Sequence, residues 1–292
     1  MYDLCCIGHL THDKIVTPSD TVHMAGGTSF YFSHALKNFP LNYHLVTALS
    51  SDDLVFTEAL QQEGIDLTIV PSKHTVYFEN IYTNNSDERQ QKVLFEADSF
   101  KIADLQNIQA KHFHLGPLLA NDMAADFIES LSKRATVSLD VQGFLRTVIN
   151  QHVEVIDWSA KATVLPHITI IKASETEAFT ITGSNNVEHA AKILFDMGVK
   201  EVVITMGSKG SLIYDGNKII NIPAYKPAVV KDATGCGDTY MAGYLYKRIE
   251  GEEIEAAGKF GAAMATIKIA ASGPFNETAA AVKKIIHDNV IL

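Results

Sequence analysis

The segment Asp232–Asp238, Asp-Ala-Thr-Gly-Cys-Gly-Asp, combines the residue types that an anion-binding site needs, and we call it the anion loop. Gly235 and Gly237 flank the small residue Cys236, so the backbone can bend sharply and present its N–H groups without obstruction. The residues that follow, Thr239–Tyr246, predict a helix that begins at the glycines. Helix N-termini bind anions because their N–H groups lack partners and the helix dipole is positive there.

Asp238 would lie in the first turn of this helix, beside a bound anion. A carboxylate there repels the anion unless it takes a proton from a nucleophile that attacks it. The arrangement therefore suits phosphoryl transfer to a hydroxyl, with Asp238 as general base and the N–H groups of Gly235, Cys236 and Gly237 stabilising the developing charge. The alternative is a glycine-rich turn in which Asp238 favours the start of the helix by capping alone.

The wider segment Val229–Gly243 resembles the C-terminal signature of the ribokinase (PfkB) family of carbohydrate kinases. The usual family form has Thr and Ala where this chain has Ala233 and Cys236, and both changes keep the residue small. The resemblance implies an α/β fold with a doubly wound, mainly parallel sheet and a small antiparallel β lid. It also implies transfer of the γ-phosphate of ATP, with Mg²⁺, to a hydroxyl of a small-molecule sugar or polyol.

Composition excludes several other classes of function. The chain has 292 residues and a net charge of −10, which argues against nucleic acid or an anionic membrane as the main partner. No apolar run approaches the ~20 residues of a membrane-spanning helix, and the N-terminus lacks a signal-peptide pattern. Three cysteines cannot form a disulfide framework. We therefore expect a cytoplasmic protein with a single kinase domain over residues 1–292.

Apolar runs alternate with amphipathic segments along most of the chain, which is typical of a doubly wound sheet. The predicted strands are Leu4–Ile7, Leu45–Leu49, Phe113–Leu115, Val137–Val141, Thr169–Ile171 and Val202–Thr205. The predicted helices between them are Ser29–Asn38, Leu54–Glu63, Ala124–Lys133 and Glu188–Met197. After the anion loop the pattern is helical, and we expect Asn276 to cap the last helix.

Two segments, at about residues 14–24 and 75–97, alternate like exposed antiparallel strands, and a polar turn over residues 84–89 joins the second pair. In the ribokinase-like family such strands cover the sugar site as a lid, which keeps water from competing with the acceptor hydroxyl. The alternative is a simple edge hairpin. A lid sheet often pairs across its edge, which would give a homodimer.

Three features resemble the family's acceptor-binding residues. Asp13, in the segment Gly8–Asp13, matches the Asp of the family's Gly-x-x-x-x-Asp, which binds substrate hydroxyls. Gly26 and Gly27 match a Gly-Gly pair that lets the substrate approach the backbone. Tyr31 stands where many members have an Asn that contacts the substrate, so we expect an acceptor other than ribose.

The segment Asp140–Arg146, Asp-x-Gln-Gly-x-x-Arg, follows a predicted strand, so Asp140 and Gln142 would lie at the ligand-binding end of the sheet. The segment is similar to the branch of the family that contains archaeal and plant myo-inositol kinases. The similarity implies that Gln142 and Arg146 bind substrate, with Arg146 making forked bonds to a phosphate. The alternative for Arg146 is a helix-start arginine paired with a surface carboxylate.

The segment Lys172–Glu177 aligns with the family's Asn-x-x-Glu motif, with Ser174 in place of Asn. The alignment implies that Lys172 lies at the ATP site and that Glu177 orients waters on Mg²⁺, a cation that takes few direct protein ligands. The alternative is a capping box, with Ser174 at the N-cap and Glu177 at N3. The two roles are compatible.

The segment Thr205–Gly210 follows an apolar strand and resembles the family's nucleotide loop, with Thr205, Gly207, Lys209 and Gly210 as ATP-binding residues. Gly207 would admit the phosphates or ribose closely, and Lys209 could reach a phosphate. The alternative is a strand-ending turn with a solvated lysine. Gly273 would border the adenine pocket.

Asp232 and Thr234 fall where family members bind a monovalent cation such as K⁺, largely through backbone carbonyls. Two further hypotheses on function remain beside a sugar or inositol-like polyol kinase. One is a nucleoside kinase of the same fold, and the other is a sugar or phosphate sensor without turnover. Asp238 counts against the sensor, because pure binding of an anion would gain from losing that charge.

Overall fold

The computed structural model describes residues 1–18, 20–82, 89–288 and 290–292. The strands are β1 (Leu4–Ile7), β2 (Thr11–Val16), β3 (Thr21–Gly26), β4 (Tyr43–Leu49), β5 (Asp66–Pro71), β6 (Val76–Tyr82), β7 (Arg89–Phe95), β8 (His112–Leu115), β9 (Thr136–Asp140), β10 (Arg146–Ile149), β11 (His152–Val155), β12 (Ile170–Ser174), β13 (Glu201–Thr205), β14 (Ser211–Tyr214) and β15 (Ile219–Ile222). The helices are α1 (Thr28–Leu36), α2 (Leu54–Gln62), α3 (Ala125–Ser132), α4 (Lys161–Val164), α5 (Glu175–Thr182), α6 (Val187–Asp196), α7 (Cys236–Ile249), α8 (Ile254–Ile269) and α9 (Ala279–Asp288).

The main sheet has nine strands in the order β15-β14-β13-β12-β9-β8-β1-β4-β5. Its strands are parallel from β13 to β5, while β14 and β15 are antiparallel to their neighbours. Apolar side chains from alternate positions enter two separate cores. In β1, for example, Cys5 and Ile7 face the core that includes Phe127 of α3, whereas Leu4 faces the core that includes Phe32 of α1. Helices therefore cover both faces, and the predicted doubly wound fold is confirmed.

The second sheet has six strands in the order β10-β11-β7-β6-β2-β3. It is antiparallel except for the parallel pair β2–β6. One face packs Val76, Phe78 and Val93 against Leu118 and Leu119, which follow β8 in the chain. The sheet therefore covers the carboxyl end of the main sheet, as the fold class predicted, and we call it the lid.

Two lid strands, β10 and β11, were not predicted, because the short segment from 146 to 155 carries charged and polar residues among its apolar ones. Strands β5, β14 and β15 of the main sheet were not predicted either. Asn276 is wrong as the cap of the last helix, because α9 begins only at Ala279. Residues 84–88 of the predicted polar turn lie outside the described residues, and Arg89 is the first residue of β7.

No described helix is long and apolar enough to cross a membrane. The carboxyl ends of β1 and β9 lead into the lid strands β2 and β10, and those of β12 and β13 lie at the same edge of the parallel sheet. The N-terminus of α7 contacts α1, which follows the lid strand β3. These are the elements that position the candidate site.

Candidate active site

Helix α7 begins at Cys236, immediately after its N-cap residue Gly235. Gly235 has a φ of 74°, a left-handed conformation that favours glycine. A Cβ at Gly235 would also collide with the ring of Tyr31, which is buried on α1. The N-terminus of α7 is thus held against α1, and Asp238 lies in its first turn as predicted.

Gly237 needs to be glycine for a different reason than the sequence suggested. It lies inside α7 and has no positive φ, so of the two glycines only Gly235 has the backbone conformation of the predicted sharp bend. A Cβ at Gly237 would lie 2.9 Å from Nζ of Lys172, which reaches the underside of the anion loop from β12. The missing side chain makes room for a buried ammonium group.

Lys172 and Asp140 form a buried ion pair beneath the anion loop, with Nζ 2.8 Å from Oδ2. The two residues face each other in register on the neighbouring strands β12 and β9. The other oxygen of Asp140 accepts a hydrogen bond from the backbone N–H of Gln142. The charge of each partner is therefore compensated, as burial of ionic groups requires. The negative field of nearby carboxylates also raises the pKa of Lys172, which stays protonated.

Asp238 is surrounded by charged groups that change its affinity for a proton. Loss of hydration is the largest effect, and together with the charge of Asp140 it raises the pKa of Asp238 to about 7. Lys172 and Arg146 act in the opposite direction, and Glu177 adds to the increase. A carboxyl group with a pKa near neutrality suits a general base, because it can both accept and release a proton.

Glu177 and Ser174 form the capping box that the sequence left open as an alternative. One carboxylate oxygen accepts the N–H of Ser174 at 2.7 Å, and the other accepts the side-chain amide of Gln142 at 3.1 Å. Each carboxylate oxygen can accept more than one hydrogen bond, so Glu177 can still hold water molecules. This fits an indirect role beside Mg²⁺. Within the described ranges, no group of three or more His, Cys, Asp or Glu side chains could hold a metal ion.

Asp13 and Gly26 lie next to each other on the adjacent lid strands β2 and β3. A Cβ at Gly26 would collide with the carboxylate of Asp13, so the absence of a side chain at Gly26 makes room for this carboxylate. We call this part of the sheet, where β2 begins and β3 ends, the root of the lid. Side chains alternate along a strand, and His12 therefore faces the opposite side of the lid. There it stacks on Tyr77, with ring centroids 4.3 Å apart.

A cavity of about 370 Å³ opens beside the anion loop, and we call it the donor cavity. Thr205, Gly207 and Gly210 of the predicted nucleotide loop line it, together with Cys236 and Gly237. Its remaining walls are mostly apolar and come from the segment after β15, from α7 and α8, and from the C-terminus. These walls are Ala224, Tyr225, Pro227, Val230, Tyr240, Ala262, Ala265, Thr266, Ile269 and Leu292, with Ser208 and Ala233 at the loops.

Three residues predicted for ATP lie elsewhere. Lys172 reaches the underside of Gly237, and Lys209 is exposed and pairs with Glu175 at 3.4 Å. Gly273 has a positive φ of 76° but does not contribute to the described lining of the donor cavity.

Arg146 is the first residue of β10, so the alternative of a helix-start arginine is wrong.

Two features of the site were not predicted from the sequence, namely the apolar walls of the donor cavity and Lys268 behind the anion loop. Tyr225 and Leu292 carry no motif, and only the fold brings them to the loop. Lys268 looks like an ordinary polar position in a helix, yet its side chain is fully buried and contacts Asp232. A charged residue in the otherwise apolar run of α8 was the one available signal.

The family model of the pfkB family carbohydrate kinases matches residues 1–280. This chain belongs to that family. PfkB-family members are phosphotransferases that use an alcohol group as acceptor, and the chain is therefore a kinase of the sugar and nucleoside type.

Known relatives of this PfkB-family kinase differ in acceptor and donor. The chain is 28% identical to the cytidine kinase of Thermococcus kodakarensis over 272 residues, 89% of this chain and 94% of the relative. It is 27% identical to a solved pyrophosphate-dependent kinase of the ribokinase family, with a TM-score of 0.83 over 93% of this chain and 97% of that one. A pyrophosphate-dependent myo-inositol kinase, solved as a variant with altered position of phosphorylation, is 25% identical, with a TM-score of 0.84 over 98% and 99% of the two chains.

Proposed function

We propose that this chain transfers the γ-phosphate of ATP to a hydroxyl group of a sugar or cyclic polyol. The donor cavity carries the proposal. It opens directly onto Cys236 and Gly237, and its far walls are apolar, as an aromatic base requires. Pyrophosphate would fill only the end at the anion loop and would leave the apolar walls without a ligand.

The side chains around the anion loop divide the chemistry among them. Asp238 takes the proton of the attacking hydroxyl, and the N–H groups at the N-terminus of α7 stabilise the charge of the transferred phosphoryl group. Lys172 holds the loop from beneath and balances the carboxylates around it. Arg146 adds positive charge near Asp238.

Mg²⁺ that accompanies ATP neutralises phosphate charge. Glu177 would hold waters of that ion, since both of its oxygens are fixed by Ser174 and Gln142. The hydrogen bonds orient the carboxylate before the nucleotide arrives.

The polar groups around the acceptor favour a sugar or polyol. Asp13 lies at the root of the lid, while the stacked rings of His12 and Tyr77 face the other side of the same sheet. Phe78 shares the inner face but is packed into the apolar cluster with Leu118. Among the described side chains of the inner face, Asp13 can bind a hydroxyl, and the ring of Phe78 is occupied by its apolar neighbours.

A nucleoside is the second candidate acceptor. One curated relative that matches 89% of this chain is a cytidine kinase. A nucleoside carries ribose hydroxyls that Asp13 would bind in the same way as those of a sugar.

We further propose that the protein is cytoplasmic and forms a homodimer through the lid. Cys5, Cys6 and Cys236 are free thiols, as a reducing compartment permits. Strand β3 pairs with β2 on one side and is an edge of the described lid, and Val22 on β3 is 46% exposed. An open edge with apolar side chains favours pairing with a second chain.

A matrix of two donors and several acceptors tests the proposal. ATP and pyrophosphate are each supplied with myo-inositol, hexoses, pentoses and cytidine, and product formation is measured by ³¹P NMR. We expect turnover with ATP and at least one sugar or polyol. Turnover with pyrophosphate alone contradicts the assignment of the donor, and turnover confined to cytidine selects the second candidate.

A further inference from the structure

The position expected to hold a monovalent cation is filled by a side chain of the protein itself. Nζ of Lys268 lies 3.0 Å from the backbone carbonyl oxygen of Asp232, 3.2 Å from its Oδ2 and 3.5 Å from the carbonyl oxygen of Ala271. A lysine ammonium has three N–H donors, and these three oxygens account for them. The Lys268 side chain is fully buried.

The oxygens around Lys268 form a negative environment that requires a cation. Lys268 and Ala271 lie at the C-terminus of α8, where the helix dipole is negative. The carbonyl of Ile269 there accepts the N–H groups of Lys231 and Asp232, which fixes the start of the anion loop against the helix. The carboxylate of Asp232 adds a full negative charge, and its other oxygen accepts a hydrogen bond from the backbone N–H of Thr234.

The ammonium also lies directly behind the anion loop. The carbonyl of Asp232 that accepts from Lys268 also accepts from the thiol of Cys236. Nζ is 6.0 Å from the ring centroid of Tyr31, the ring that packs against Gly235. A charge at this position acts on the same groups that bind the phosphate.

These residues do not fit K⁺ at Asp232, because the ammonium already takes both the carbonyl and the carboxylate oxygen that would coordinate it. We propose that Lys268 is a positioning residue that replaces the monovalent cation, so that this kinase binds ATP and turns over independently of K⁺. The inference rests on the kinase activity of the family and on the anion loop as the phosphate site. It does not depend on which acceptor is used.

Salt dependence of the unmodified protein is the first test. ATP affinity is measured by calorimetry and the melting temperature by fluorimetry, in sodium, potassium, ammonium and tetramethylammonium chloride at equal ionic strength. We expect the four salts to agree within about twofold in Kd. A clear gain in ATP affinity with potassium over sodium overturns the proposal.

Two variants test the role of the charge. In Lys268→Met the side chain ends one atom short of Nζ and leaves the oxygen cage open to a free cation. In sodium its ATP affinity should fall by about tenfold, the size expected for one lost interaction with a charged group. Potassium or ammonium should restore the affinity, and tetramethylammonium should not, because it is too large for the cage.

Lys268→Gln keeps a donor to the carbonyl without the charge, and it covers the case in which the methionine variant does not fold. It should also lose ATP affinity in sodium. Lys259→Met, on the same helix but in an exposed ion pair with Glu255, is the matched control and should resemble the parent. Lys268 would be a structural residue only if both variants lost stability while their ATP affinity stayed at the parent level in every salt.

These readouts separate the inference from the proposed function. Binding of ATP and the melting temperature need no acceptor, so failure to find a sugar or polyol substrate leaves the test intact. Where myo-inositol or cytidine is turned over, kcat of Lys268→Met should show the same order of salts as the ATP affinity.

Discussion

At the scale of single residues, Asp238 is the group on which the proposed chemistry depends. Asp238→Asn keeps size and polarity but cannot accept a proton. We expect kcat to fall by roughly 10²–10⁴, the usual contribution of a general base. The Kd for ATP should stay the same or improve, because a negative charge beside the γ-phosphate is removed. Steady-state kinetics and calorimetry on the one variant check both, and kcat within a few-fold of the parent would remove Asp238 from the chemistry.

The same variant should change how stability depends on pH. The folded protein raises the pKa of Asp238 from 3.8 to about 7, so the folded state favours the protonated form. The resulting stabilisation is complete below pH 3.8 and is lost as the pH rises through 7. Asp238→Asn cannot ionise, so its melting temperature should rise relative to that of the parent as the pH increases from 4 to 8. Its weaker interaction with the helix dipole should lower the free energy of unfolding by about 0.3–1 kcal/mol. If the difference in melting temperature between variant and parent is the same at every pH in that range, the raised pKa is contradicted.

Gly235 offers a second test at this scale. In Gly235→Val a β-branched side chain must adopt a φ of 74° and meet the ring of Tyr31. We expect turnover to fall by more than about 10²-fold, since the N–H groups of the loop would no longer be aligned. Cys236→Ala is the matched control in the same turn and should be nearly silent. Activity and melting temperature are measured for both, and loss of activity in Cys236→Ala would reveal a role for the thiol.

At the scale of elements, the pairing of β9 and β12 places a salt bridge beneath the loop. Lys172→Met leaves Asp140 buried without its partner, which should lower the free energy of unfolding by about 3–5 kcal/mol. Adding Asp140→Asn removes the unpaired charge, so the double variant should be more stable than Lys172→Met alone. Urea unfolding measures both, and Lys133→Met, in an exposed pair with Glu129, should cost little. A double variant less stable than Lys172→Met would mean that the two residues do not act as a pair.

Strand β2 carries the residue assigned to the acceptor. Asp13→Asn should raise KM for the acceptor by about 10- to 100-fold, the range for a hydrogen bond to a charged group. KM for ATP should change less than twofold, because Asp13 does not line the donor cavity. Initial-rate kinetics with each substrate varied in turn make the comparison. Asp20→Asn, exposed on the same hairpin, serves as control, and equal effects on both KM values would contradict the assignment.

The motifs predicted which residues lie at the site better than they predicted the contacts that hold those residues in place. Asp238 in the first turn of a helix follows from residue types and spacing, because it is a local feature. The place of Thr205, Gly207 and Gly210 at the donor cavity was implied only by the family resemblance. The partners of Lys172 and Lys268 could not be predicted, because each pairs with a carboxylate more than thirty residues away. Contacts of that separation depend on strand order and helix packing, which no short pattern contains.

At the scale of the whole molecule, the doubly wound sheet followed from the alternation of apolar runs with amphipathic segments. The extent of the lid did not, since β10 and β11 are short and half-exposed and their pattern is weak. The parallel pairing of β2 with β6 was also beyond the sequence, because either direction gives the same alternation of side chains.

The open edge of the lid gives a prediction about assembly. If two chains pair through β3, Val22→Lys should shift the protein from dimer to monomer, because a charged side chain at an edge disfavours pairing. Sedimentation velocity measures the change. Val55→Lys, at an exposed position of α2, should leave the assembly unchanged. A parent that sediments as a monomer at all concentrations would contradict the dimer.

The lid is one sheet in space but three separate fragments in the chain, residues 11–26, 76–95 and 146–155. Strands of the main sheet lie between these fragments, namely β4 and β5 in the first interval and β8 and β9 in the second. A recombination event that exchanges one continuous stretch of gene cannot exchange the whole lid without also exchanging strands of the main sheet. A chimaera that exchanges the whole lid between two kinases built this way therefore needs three grafted fragments.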